Sequence, residues 1–111
     1  MDIIRRNVGN SIVLDCAGKL TLGPGTTAAR NAVRAALEDG PKRIVMNLAG
    51  VDYMDSSGIG ELVSSYTHAR NKGAMLVLLN LNTKVHQLLA VTKLLTVFEI
   101  YGDETSAVAG G

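Results

Sequence analysis

Tryptophan is absent from this chain of 111 residues, and aromatic side chains are scarce, with one Phe and three Tyr. Since 47% of the residues are hydrophobic, the core must be aliphatic, built from Val, Leu, Ile, Ala and Met. Cysteine is almost missing too. A single Cys16 excludes an internal disulfide and points to a reducing, cytoplasmic compartment. It falls within a predicted strand and is expected to be a buried, inert thiol. Neither sign of charge prevails. Eleven Lys and Arg stand against ten Asp and Glu, which leaves no basic field for nucleic acid or an anionic membrane. Arg5-Arg6 and Lys42-Arg43 are too short for a nucleic-acid stripe. The longest apolar run, Ala74 to Leu79, falls far below the roughly 20 residues of a membrane span. Asp2 stands where a signal peptide needs basic residues, and neither end carries a lipidation motif. No cluster has metal-ligand spacing. The expectation is one soluble, intracellular domain over residues 1–111, enough chain to bury a core without staples.

The apolar residues that are present fall into alternating patterns. Ile3-Ile4 and Ile12-Val13-Leu14 flank the turn-rich Asn7 to Ser11 and predict a β-hairpin whose second strand ends near Ala17. Gly18 to Gly25 is too rich in Gly and Pro for a regular element. Thr26 or Thr27 then caps a helix with Ala28, Ala29, Ala32, Val33, Ala36 and Leu37 on its apolar face, stopped by Gly40-Pro41. Ile44 to Leu48 predicts a buried parallel strand, followed by a loop over Ala49 to Met54. A second helix starts at Asp55-Ser56-Ser57-Gly58, with Ile59, Leu62, Val63, Tyr66 and Ala69 inward. Met75 to Leu79 predicts another strand. Asn82 or Thr83 caps a third helix, Val97 to Tyr101 is the last strand, and Asp103 caps a short helix ended by Gly110-Gly111. The order ββαβαβαβα specifies an α/β fold: a hairpin, then a mostly parallel sheet with about four helices.

One segment carries candidate chemistry: Val51-Asp52-Tyr53-Met54-Asp55-Ser56-Ser57-Gly58-Ile59-Gly60-Glu61-Leu62. It joins a parallel strand to a helix, where ligands and partners of open α/β sheets bind. Asp, Ser and Ser before an apolar helix also serve as N-caps, and two glycines allow close packing. One cap suffices, however, so the remaining hydroxyls are open to another protein. A phosphate there adds about −1.5 to −2 charges, which a helix N-terminus accepts. A partner facing Asp52, Asp55 and Glu61 does not. Catalysis finds no support. Ser57 lacks a G-x-S-x-G setting, His68 lies three turns away on the same helix, and a hydrolase at Ser56 or Ser57 has no base. Leu22 to Thr27 lacks the Lys-Ser/Thr ending of a phosphate loop.

In this position Asp55-Ser56-Ser57-Gly58-Ile59-Gly60, after Asn47-Leu48 and before a helix, resembles the STAS domain of bacterial anti-sigma factor antagonists. The similarity extends to the hairpin, Gly18-Lys19-Leu20, Ile44 to Leu48 and Lys93 to Phe98. It implies the STAS (SpoIIAA-like) fold and a non-enzymatic regulator. Such a regulator binds an anti-sigma factor, often a serine kinase of the GHKL type, and so releases a sigma factor. The implied contact residues are Leu20, Thr21, Asp55, Ser56, Ser57, Gly58, Ile59 and Glu61. Ser57 is the implied phosphorylation site, restored by a PP2C-type phosphatase. ATP and Mg²⁺ belong to the kinase, so no cofactor is implied, nor any nucleic-acid or membrane partner. Many members carry Gly-x-Leu-Asp before the first helix, where this chain has Gly18-Lys19-Leu20-Thr21. The alternative is a STAS adaptor subunit of another signalling or transport complex, without the phosphate switch.

Overall fold

The structure, a computed structural model, describes residues 1–109. Strands β1 (Asp2–Val8) and β2 (Ser11–Leu20) form the expected hairpin, closed by a turn in which Gly9 takes a φ of 60°. They are followed by α1 (Pro24–Glu38), β3 (Arg43–Met54), α2 (Ser56–Asn71), β4 (Met75–Leu79), α3 (Thr83–Val91), β5 (Ile100–Tyr101) and α4 (Glu104–Ala109). The five strands lie side by side in chain order. Only β1 is antiparallel to its neighbour; β2, β3, β4 and β5 are parallel. The expected order of elements and the mostly parallel sheet are both present.

Alternation along the strands separates two faces. Leu14, Met46 and Leu78 point to one side and pack with Val33 of α1, Leu62 of α2 and Leu89 of α3. Val13, Val45 and Val77 point to the other, where Ala107 of the short α4 meets them. The α4 side is completed by charge. Arg6 Nε donates to Asp15 at 2.6 Å, and its NH2 nitrogen donates to Glu104 at 2.5 Å. Asn47 donates to the same Asp15 at 2.9 Å. The Arg6 guanidinium holds both carboxyls below their ordinary range, and they raise its own pKa in return. No helix among the described residues is long and apolar enough to cross a membrane.

Four local expectations need correction. Strand β2 runs through Gly18 to Leu20 instead of ending near Ala17, because Ala17 to Leu20 pair with Gly50 to Met54 across two register shifts. For the same reason Ala49 to Met54 is strand and not loop. Neither Thr26 nor Thr27 caps α1: the N-cap is Gly23 with Pro24 at the first position, and the Thr26 hydroxyl donates to the Gly23 carbonyl. The last strand is two residues, not Val97 to Tyr101; Val97 faces solvent while Phe98 buries itself edge-on against Tyr66. The expected helix stop at Gly110-Gly111 lies outside the described residues.

Candidate functional site

The β2–β3 ladder ends at the pair Leu20 and Met54, and both strands then turn into helices, β2 into α1 and β3 into α2. Asp55 stands at this junction with extended backbone angles, as an N-cap requires. One carboxylate oxygen accepts from the Gly58 amide at 2.9 Å, closing the first turn of α2. The other accepts from the Leu22 amide at 3.2 Å, tying in the β2–α1 loop. These backbone donors, Gly58 first, hold the Asp55 carboxyl below its ordinary range. Its pKa is lower in the folded chain than in the unfolded one. The stabilisation is therefore complete above about pH 4 and is lost as pH falls through the folded value. Asp55→Asn keeps a capping oxygen but cannot titrate. The variant should lose less stability below about pH 4 than the parent, as read by urea midpoints at stepped pH.

The two glycines of the motif behave differently. A Cβ on Gly58 would lie 2.1 Å from the Leu20 carbonyl oxygen and 2.7 Å from Met54 Cγ. Gly25, at the start of α1, approaches the same strand end, with Lys19 O at 2.4 Å from its own Cβ position. A Cβ on Gly60 would meet nothing within 4 Å. Gly60→Ala should therefore raise stability by about 0.5–1 kcal/mol through helix propensity alone, visible as a higher melting temperature.

Ser56 is exposed and Ser57 half-buried, at the first two positions of α2. With Asp55 as the cap, neither hydroxyl bonds another protein group among the described residues. Thr21, half-buried, lies between Leu20 and Leu22, the residues that Asp55 engages through its backbone and side chain. Leu20, Gly58 and Ile59 are buried and shape the site from below. Glu61 departs from the expected surface role. Its carboxylate is buried between α1 and α2: Arg30 of α1 donates at 2.9 Å, and the hydroxyl of Ser65, one turn further along α2, donates at 3.1 Å. A charged residue at this helical position reads as solvated until a partner 31 residues away neutralises it. Two surface residues escaped the sequence reading. Leu22, in the β2–α1 connection, is 76% exposed, and Tyr53, near the end of β3, is 55% exposed. For Leu22 the only local signal was a large apolar residue in a turn that no strand needs.

The remaining candidates are separate from this end of the molecule. His68 follows Ser57 by eleven residues on α2, about 16 Å along the axis. His86 is exposed on α3. Cys16 is buried, and desolvation, then Asp15 beside it, push its thiol up to about 12. Among the described residues no three His, Cys, Asp or Glu gather into a possible metal site.

A model of the STAS domain family matches residues 3–107. An anti-sigma F factor antagonist from Paenibacillus polymyxa is 33% identical over 67 residues, covering 60% of this chain and 57% of that relative. The chain thus spans little more than half the length of that curated relative. A STAS-domain protein from Pseudomonas aeruginosa is 27% identical over 92 residues, covering 83% of this chain and 89% of the relative. Among solved structures, an anti-sigma factor antagonist domain protein from Planctomyces limnophilus superposes with a TM-score of 0.85 at 18% identity, covering 99% and 97% of the two chains. The antagonist SpoIIAA superposes in its unphosphorylated form with a TM-score of 0.80 at 20% identity, covering 98% and 95%. At such identities the superpositions speak for the fold.

Proposed function

The chain belongs to the STAS domain family, and from that premise we propose that it is an anti-sigma factor antagonist working through the Ser57 end of α2. It binds an anti-sigma factor that is also a GHKL-type serine kinase, releases a sigma factor, and is switched off by phosphorylation of Ser57. A PP2C-type phosphatase restores the binding form. The chain itself catalyses nothing and acts in the cytoplasm. ATP and Mg²⁺ reside on the kinase.

One observation carries this reading. Asp55 alone caps α2, so the Ser57 hydroxyl is spared from holding the fold. A phosphate can be added or removed there without dismantling the helix start. The helix N-terminus favours the added charge, while a partner packed over Leu22, Ser56 and Tyr53 meets a desolvated dianion. The names of the relatives support the partner class. Thr21, in place of the family's usual Asp, leaves the loop beside Ser57 without a carboxylate.

The purified host anti-sigma kinase with Mg-ATP should place phosphate on Ser57, located by tandem mass spectrometry. Phosphate only at other residues, or none from a kinase active on its own antagonist, would sink the switch and favour the adaptor reading.

A further inference from the structure

Beside the Ser57 end, the tip of β3 and helix α3 enclose a pocket of about 190 Å³ lined by Asp52, Tyr53, Met54, Lys84, Val85 and Leu88. Four of these lining residues are apolar or aromatic, with the exposed Asp52 and Lys84 as its charged members. Its walls are fixed in advance. The Asn82 amide donates to the Val51 carbonyl of β3 at 2.7 Å, while its oxygen accepts from the Val85 amide at 2.8 Å. One side chain thus pins the first turn of α3 to the strand end. The volume lies below the roughly 300–1,000 Å³ of sites that enclose a cofactor or drug-sized ligand, and suits a single apolar side chain.

The pocket adjoins the first turn of α2. Met54 lines it and is the same residue whose Cγ lies 2.7 Å from the Cβ position of Gly58, in the first turn of α2. Tyr53, more than half exposed, also lines it, two residues before Asp55. Resting on the antagonist reading above, we propose that the pocket is the anchor site of the anti-sigma factor, which inserts one aliphatic or phenyl side chain between Met54, Val85 and Leu88 when it covers Ser57. Preformed pockets filled by one large apolar side chain are where interface energy concentrates, ringed by contacts that exclude water. The Asp52 and Lys84 charges fit a polar rim around such an anchor.

The test uses the full chain and the purified host anti-sigma kinase. On titration, the methyl resonances of Met54, Val85 and Leu88 should shift in carbon-13 spectra. Leu88→Trp, which fills the pocket, should raise Kd at least tenfold, and Leu88→Ala, which enlarges it, should raise Kd by a smaller factor. Val91→Asp, on the same helix, 79% exposed and outside the pocket, should leave Kd within twofold. Thermal melts identify any variant that fails to fold, in which case the parent's methyl shifts decide. Tight binding of the parent that Ser57→Asp abolishes, with unshifted methyls and unchanged Kd in folded Leu88 variants, overturns the anchor site and leaves the antagonist reading standing. A parent that does not bind the kinase at all overturns both.

Discussion

Replacing Gly58 by alanine is expected to cost about 3 kcal/mol or more of unfolding free energy. The added Cβ would sit 2.1 Å from the Leu20 carbonyl oxygen, and that oxygen is backbone. A flexible side chain could swing aside; a carbonyl in a strand cannot. Leu20 is paired with Met54, and its oxygen also receives the Asp55 amide at 3.4 Å. Moving it disturbs the last rung of the ladder and the cap of α2 together. The chain is a small domain with total stability of about 5–15 kcal/mol. A loss of this size should lower the melting temperature by more than about 10 °C. Thermal and urea unfolding of Gly58→Ala beside Gly60→Ala gives the comparison, two glycines in one turn with opposite signs. A Gly58→Ala variant within 1 kcal/mol of the parent would mean that α2 can lift off β2 freely, contrary to this account.

Ser57→Asp is expected to weaken binding to the anti-sigma kinase at least 100-fold, equivalent to about 3 kcal/mol, while Ser57→Ala keeps the parent's affinity. The charge takes a place that helix α2 accepts, so the melting temperature should move little. Across the interface the same carboxylate is desolvated beside Asp55 without a counter-ion. Titration calorimetry on the three proteins separates the two effects. Equal affinity for Ser57→Asp and the parent would refute the charge mechanism even if Ser57 is phosphorylated. In the free domain, a phosphate of about −2 takes the net charge from +1 to about −1, so the modification also alters the long-range field that guides encounter.

What could be read directly from the residues was whatever depends on neighbours in the chain. The apolar run Met75 to Leu79, the stop at Gly40-Pro41 and the cap at Asp103 are local, and each is where the pattern put it; for α2 and α3 the pattern offered several cap residues, and the structure selects Asp55 and Asn82. Ala49 to Met54 was not legible. Its Ala, Gly and Asp look like loop, and only pairing with Ala17 to Leu20 through two register shifts makes it strand. Glu61 failed for a related reason, since the arginine that buries it belongs to the preceding helix. Val97 was misplaced because an apolar residue beside a buried Phe98 has the pattern of a strand, although no strand pairs with it. Within the site, Asp55 and the two serines were visible as a motif. The separate duties of Gly58 and Gly60 were not, because one approaches a carbonyl 38 residues earlier and the other approaches nothing.

The sheet's unequal zipping bears on how any signal leaves this domain. β5 is held to β4 by two residue pairs, whereas β2 and β3 run together from Ser11 and Arg43 to Leu20 and Met54. Sub-global opening should begin at the β5 edge, with the fastest amide exchange there, and reach the β2–β3 seam last. Ser57 is mounted at the end of that seam. A partner docking there, as proposed, would meet a surface carried on the longest strand pairing of the sheet and incur little ordering entropy. On the proposed switch, a phosphate at Ser57 would be read as charge and contour on the part of the sheet expected to open last.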